Sequence, residues 1–372
     1  MFTIANYKVS LQEAINDPAY FKTQQGLRPV IRKDEMQFSS GRNAVVFQMQ
    51  NSQGKQFALK CFLRKQSPQT LHSIQQISKT FGNINSPYLV SYQLLEEELW
   101  VDNMNGTAEY MPVVLMEWIP GKTLGIVLTE YCNANNQAAL KQLASAFDQM
   151  AFWLLNLPIA HGDLKHDNIL VKSDGMPVLV DYEGCFVPGL AGTQASELGT
   201  PCFQHPGRNE GFFNADLDDF SILLISLSLH ALAEKPALWN SYYHQENLIL
   251  QETDLRQPGK TALWILLQSM PTSVNLRAEL LEYALQQPVG KIHGLQDMLK
   301  NEEISANDTN NSIKIEKTIK QKQQPKSETQ EKPIIKQNSE KSIKNNQKPK
   351  NKQKKEILNR KEFEYLGVFK GE

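Results

Sequence analysis

The chain has 372 residues, 41% of them hydrophobic, which is enough to bury a sizeable core in one large domain or two. Its net charge of -1 is unevenly spread: Ser312 to Lys361 carries sixteen Lys or Arg against five Glu, a surplus of +11 that leaves -12 on the remainder. The four cysteines, Cys61, Cys132, Cys185 and Cys202, have neither CxxC pairing nor metal-ligand spacing, and the longest apolar run, Phe220 to Leu229, is too short to span a bilayer; a disulfide framework, a zinc site and a membrane helix are therefore not expected.

The opening MFTIANYKVSLQEAIND lacks a basic start followed by an apolar segment, so a reduced, cytoplasmic protein is expected. Residues 1–37 hold one helical piece, Ser10 to Ile15, then polar, Pro-containing chain that is expected to pack against the strands beyond it. Val45–Gln50 and Gln56–Phe62 read as strands joined by the turn Asn51-Ser52-Gln53-Gly54. A helix is predicted over Pro68–Thr80, ending before Gly82, and Pro112 to Leu124 reads as a buried strand running into a Pro-Gly turn. Leu143, Phe147, Met150, Ala151 and Leu154 recur at helical spacing between Ala134 and Leu157.

The densest chemistry lies in Ala160–Gly184, AHGDLKHDNILVKSDGMPVLVDYEG. Two apolar strands, Ile169–Val171 and Pro177–Val180, form a hairpin that returns Asp181 to the same mouth as Asn168. An irregular stretch rich in Gly, Pro and small polar residues comes next, through Leu198-Gly199-Thr200-Pro201 and His205-Pro206-Gly207. A helix apolar on all sides then opens near Asp218 and runs to Leu232, as a helix in a large core does. Ala237 to Met298 carries further helical patterns. After Asn301 the composition falls to Lys, Gln, Asn, Ser and Glu, which cannot bury enough apolar surface to offset chain entropy; a disordered basic linker is predicted over 301–361, followed by a short apolar peptide, 362–372. Without interleaved aromatics the basic tail reads as solvated chain that attracts polyanions, not as a specific nucleic-acid element.

His161-Gly162-Asp163-Leu164-Lys165, then Asn168, then Asp181-Tyr182-Glu183-Gly184 resembles the catalytic and metal-binding loops of the protein kinase superfamily. The likeness is to the bacterial-type serine/threonine form, with HGD in place of HRD and DYEG in place of DFG. It spans about Phe38 to Met298 and implies an α+β, two-lobed kinase-like domain over 38–300, with a strand-rich N-lobe (38–118) and a helical C-lobe (119–300). Phosphoryl transfer asks a protein mainly for positioning and charge neutralisation. On that template Asp163 orients the acceptor hydroxyl and Lys165 neutralises the transferring phosphoryl group. Asn168 and Asp181 bind Mg2+, Lys60 in Ala58-Leu59-Lys60 holds the ATP phosphates, and Asp218 anchors the catalytic loop. Ser39, Gly41, Ala44 and Val46 resemble a glycine-rich phosphate loop that keeps one glycine, and Glu117, Trp118 and Ile119 resemble the hinge that meets adenine.

The pattern departs from the family at one point. Kinases pair the strand lysine with a glutamate on the following helix, yet no Glu or Asp occurs between Lys60 and Glu96. Gln75 or Gln76 falls near that position and brings no charge, so the ion pair is absent unless another acid reaches in. The preferred reading is an ATP-dependent serine/threonine kinase acting on a protein. HGD also resembles antibiotic and choline phosphotransferases, against which Lys165 and Gly199-Thr200-Pro201 speak. An ATP-binding pseudokinase scaffold would fit the missing glutamate, the depleted glycine loop and Tyr182-Glu183.

Overall fold

A computed structural model describes residues 2–41, 43–102 and 107–301. The predicted basic linker, apart from Asn301, and the terminal apolar peptide lie outside them. The chain opens with helix α1 (Ile4–Glu13), capped by Thr3, whose side chain accepts the Asn6 N–H. Four short strands come next, β1 (Arg28–Pro29), β2 (Ile31–Arg32), β3 (Glu35–Met36) and β4 (Phe38–Ser40), and then β5 (Ala44–Gln50) and β6 (Gln56–Phe62). The turn between the last two is fixed by the Asn51 side chain, which accepts the N–H groups of Gln53 and Lys55. Helix α2 (Pro68–Phe81) begins at Ser67, whose hydroxyl accepts the Thr70 N–H at 3.1 Å, with Pro68 at its first position.

Strands β7 (Tyr92–Asp102) and β8 (Ala108–Glu117) complete a sheet of order β1-β5-β6-β8-β7, with β4 also paired to β5. Side-chain alternation divides the sheet between two cores. Val45, Phe47, Met49, Leu59, Val113 and Leu115 face a cluster that includes Tyr7 and Leu11 of α1. Ala44, Ala58, Val114 and Met116 face the larger cluster shared with α2 and the rest of the chain.

The second half is mainly helical: β9 (Gly121–Thr123), α3 (Leu124–Asn133), α4 (Gln137–Leu155), β10 (Ile169–Lys172), β11 (Pro177–Leu179), α5 (Asp219–Glu234), α6 (Leu238–Tyr242), α7 (Glu252–Arg256), α8 (Ala262–Gln268), α9 (Thr272–Leu285) and α10 (Leu295–Asn301). Strand β10 pairs antiparallel with both β9 and β11, with Ile169 opposite Leu179. Helix α5 is buried from Asp219 to Leu229, which explains its lack of a polar face. A buried polar knot ties α4, α5 and α9 together. Asp148 receives the Ser226 hydroxyl at 2.7 Å and an Arg277 N–H at 2.8 Å, and His230 Nε2 lies 2.8 Å away. Burial works against ionised Asp148, but Arg277, His230 and Ser226 together outweigh it and hold the carboxyl below its usual range. All four cysteines are free.

Candidate active site

The site is assembled at the mouth of the β10–β11 hairpin. Asn168 precedes β10 and Asp181 lies just beyond β11; the Val180 N–H donates to the Asn168 carbonyl at 3.0 Å, fixing the two ends side by side. Asp181 takes φ +71°, a left-handed conformation that aspartate tolerates better than most residues, and half of its side chain faces the open cleft. The Asn168 amide donates to the Asp163 carbonyl at 2.8 Å and approaches its carboxylate at 3.2 Å. That arrangement turns the amide oxygen of Asn168 away from Asp163.

The backbone of the loop from His161 to Asn168 is held by buried partners. The N–H groups of His161 and Gly162 both donate to the buried carboxylate of Asp218, at 2.9 Å for Gly162, while His161 Nε2 meets the Val180 carbonyl at 2.9 Å. Burial pushes the Asp218 carboxyl above its usual range, and these two donors work in the opposite direction. Gly162 has φ +82°, and a Cβ there would sit 2.1 Å from the Gly184 carbonyl oxygen. Only glycine fits between the two loops.

Asp163 is fully engaged. One carboxylate oxygen accepts the Thr200 N–H at 2.8 Å and the Thr200 hydroxyl at 3.1 Å; the other lies 3.2 Å from Lys165 Nζ. Lys165 also donates to the Thr200 hydroxyl at 3.1 Å. The irregular stretch after Gly184 thus comes back to the loop that carries Asp163, and Gly199, φ +72°, makes the approach possible. A Cβ there would lie 2.9 Å from the Gly162 carbonyl oxygen and 3.0 Å from Asp163 Oδ1.

Lys60 on β6 stands opposite Val46 on β5 and reaches the same place. Its ammonium lies 2.6 Å from Asp181 and 2.5 Å from Glu183. Burial alone would lower the affinity of Lys60 for its proton, but Glu183 and then Asp181 outweigh it and hold the ammonium charged. Burial likewise pushes the Glu183 carboxyl above its usual range against the pull of Lys60. The other Glu183 oxygen accepts the Tyr92 hydroxyl at 3.1 Å. Neither candidate glutamine takes part: Gln75 donates to Glu96 at 2.9 Å, and the Gln76 side chain packs against Gly189. The acid missing from α2 is replaced from two residues beyond Asp181. Between them Tyr182 is buried, its hydroxyl donating to the Leu179 carbonyl at 2.5 Å and accepting the Val90 N–H at 3.0 Å, its ring edge-on to Phe81 of α2 and to His161.

The remaining residues singled out in the sequence lie on or beside β4, β5 and the end of β8. Ser39 and Ser40 pair with Val46 and Val45, and Gly41 donates to the Ala44 carbonyl at 2.9 Å, so the segment from β4 to β5 is a tight hairpin. Glu117 ends β8, and Trp118 and Ile119 lead from it towards β9. The backbone N–H of Glu117 donates to the Ser91 hydroxyl at 3.0 Å and that of Trp118 to the Gln56 carbonyl at 3.4 Å. Glu183 is the residue of this cluster to which pattern reading gave no role. For Glu183 the signal was present as an acid inserted in DYEG beside a helix that has none.

No family model matches the chain. It is similar to the serine/threonine-protein kinase PAK 1 of Mus musculus, 28% identical over 159 residues, a match that takes in 41% of this chain and 26% of that protein. The aligned part therefore covers about a quarter of that relative's length. The fold is protein-kinase-like. In that frame Asp163, Asn168 and Asp181 occupy one mouth, with Lys165 beside Asp163 and Lys60 beside Asp181; no helix among the described residues is long and apolar enough to cross a membrane.

Proposed function

We propose that the chain is an ATP- and Mg2+-dependent phosphotransferase of the protein kinase kind, moving the γ-phosphoryl group to a serine or threonine of a protein. The observation that carries this reading is Thr200, which seats the returning segment on both Asp163 and Lys165 at 2.8–3.1 Å. A segment held there forms one wall of an acceptor groove suited to an extended peptide, where a small-molecule phosphotransferase would need a closed pocket. Asp163 would accept the hydrogen bond of the incoming hydroxyl in place of that of the Thr200 hydroxyl, with the Thr200 N–H still bonded to it, and Lys165 would face the transferring charge.

The donor set suits magnesium. Among the described residues no three His, Cys, Asp or Glu converge on a metal position. Mg2+ is commonly held by one or two protein oxygens together with substrate phosphates and water, which is what the Asp181 carboxylate and the Asn168 amide oxygen offer. The ion would neutralise phosphate charge. Lys60, half-buried and kept charged, would hold the phosphates of ATP, and Ser39, Gly41, Ala44 and Val46 would cover them. Glu117, Trp118 and Ile119 would border adenine through the backbone groups not already bonded within the protein.

The test is the purified chain with labelled ATP, Mg2+ and a generic basic protein acceptor. Asp163→Asn is expected to slow transfer by about 10²- to 10⁴-fold while leaving ATP binding within about twofold, because the carboxylate acts on the acceptor and not on the nucleotide. Asp181→Ala is expected to abolish the Mg2+-dependent part of ATP binding, read by calorimetry with and without the ion. ATP binding without any transfer by the wild-type chain would favour the scaffold reading, for which the close approach of Lys60 to Asp181, 2.6 Å, is the supporting contact.

A further inference from the structure

The segment between Gly184 and Gly207 must be held against the catalytic loop if Thr200 is to stay on Asp163. In kinases regulated through this segment an arginine just before the catalytic aspartate binds a loop phosphate. Here that position is Gly162, where φ is +82° and a Cβ would collide with the Gly184 carbonyl. No side chain can be placed there without moving one of the two loops.

A guanidinium reaches the same place from the other direction. Arg208, just past the segment, donates from one terminal nitrogen to the Gly162 carbonyl at 2.7 Å and to the side-chain oxygen of Gln204, and from the other to the Glu197 carbonyl at 3.4 Å. Its fork therefore joins the catalytic loop to two points of the segment, one on each side of Thr200. The planar, permanently charged group suits such bridging in a way an ammonium does not. Burial lowers its proton affinity, while Asp218 and Asp163 hold the charge in place. The phosphorylatable residues nearby are not part of this contact. Thr193 donates to the Leu190 carbonyl at 2.8 Å, and Ser196 is exposed.

We propose that Arg208 is a positioning residue that holds the acceptor segment by a standing contact with Gly162 and Glu197, so that the segment is assembled without a phosphate. The proposal rests on the phosphotransfer reading for its purpose, but its geometry is measurable without any transfer.

Hydrogen–deuterium exchange on the full chain, read by mass spectrometry on peptides covering 196–204, reports the Thr200 amide that donates to Asp163. Arg208→Ala is expected to speed exchange there by about tenfold or more, the loss of a charge-assisted bond, with peptides of α5 unchanged. Arg208→Lys should fall between, since one ammonium can reach Gly162 but cannot also span to Glu197. Thr193→Ala with Ser196→Ala should exchange as the wild type does. In steady state Arg208→Ala should lower kcat by about tenfold or more and leave KM for ATP within about twofold. Wild-type exchange in Arg208→Ala, or the same loss of protection in the Thr193/Ser196 double variant, overturns the proposal. If Arg208→Ala does not fold, wild-type exchange and kcat in Arg208→Lys overturn it instead. A wild-type chain that transfers nothing, but whose segment loosens on Arg208→Ala, keeps the positioning role and rejects the phosphotransfer reading.

Discussion

The pairing of Lys60 with Glu183 supplies the counter-charge that α2 lacks. A lysine buried without a counter-charge tends to lose its proton, and α2 supplies no acid. Glu183 supplies it from the same loop as Asp181, so the two groups that would handle phosphate and metal are positioned by one stretch of backbone and not by the placement of a helix. Glu183→Gln keeps an acceptor for the Tyr92 hydroxyl and removes only the charge. Hydrogen bonds to charged groups are worth about 1.5–3 kcal/mol, so this change should weaken ATP binding by roughly ten- to a hundredfold, measured by calorimetry. Affinity within twofold of wild type would mean that Asp181 alone is sufficient for Lys60. Gln76→Glu, the change that the sequence alone suggests as a repair, should bring no gain, because that side chain points to Gly189.

At the scale of elements, the strands and helices were legible to within a residue or two wherever a period was strong. Strands β5 and β6 alternate, the Asn51 turn is self-bonded, and α5 is apolar all round; all three are set by local spacing. The hairpin that brings Asn168 and Asp181 together was readable for the same reason. The four two- or three-residue strands between Arg28 and Ser40 were not, since pairings that short leave no period to detect. Nor were the contacts of Glu183 with Lys60 and of Arg208 with Gly162, which join residues far apart in sequence and depend on how two finished elements meet. Gly162 lies between these cases. The sequence marks it as a departure from the usual arginine, and the structure gives the reason in the Gly184 carbonyl 2.1 Å from where a Cβ would be. Gly162→Ala should therefore cost about 1–3 kcal/mol for the left-handed backbone alone, with a further loss from the clash. Thermal unfolding would read it, and an unchanged Tm would show that the loops separate freely.

At the scale of the whole molecule, the first part of the chain is structural and the sheet cannot be considered without it. Phe2, Tyr7, Leu11, Ala14, Phe21 and Leu27 form one core with Val45, Phe47, Met49, Leu59, Val101 and Met111, covering the sheet face turned away from α2. Polar contacts fix the cover in register: the Tyr7 hydroxyl donates to the Phe62 carbonyl at 2.6 Å, and buried Glu98 accepts the N–H groups of Thr23 and Gln24 at 2.9 and 2.7 Å. Each large apolar side chain is worth about 1.5–3 kcal/mol on burial, and a domain's entire stability is about 5–15 kcal/mol, so removing four or five of them takes away most of the margin. Deletion of residues 2–27 should leave a chain that aggregates or lacks a cooperative thermal transition, followed by near-ultraviolet circular dichroism and light scattering. Val9→Ser is the control, because Val9 is 57% exposed on the outer face of α1 and its loss should leave Tm unchanged. A deleted chain that melts as the wild type does would mean that the sheet closes its own face, for which Val45, Phe47, Met49 and Leu59 would have to repack against each other or against a second copy.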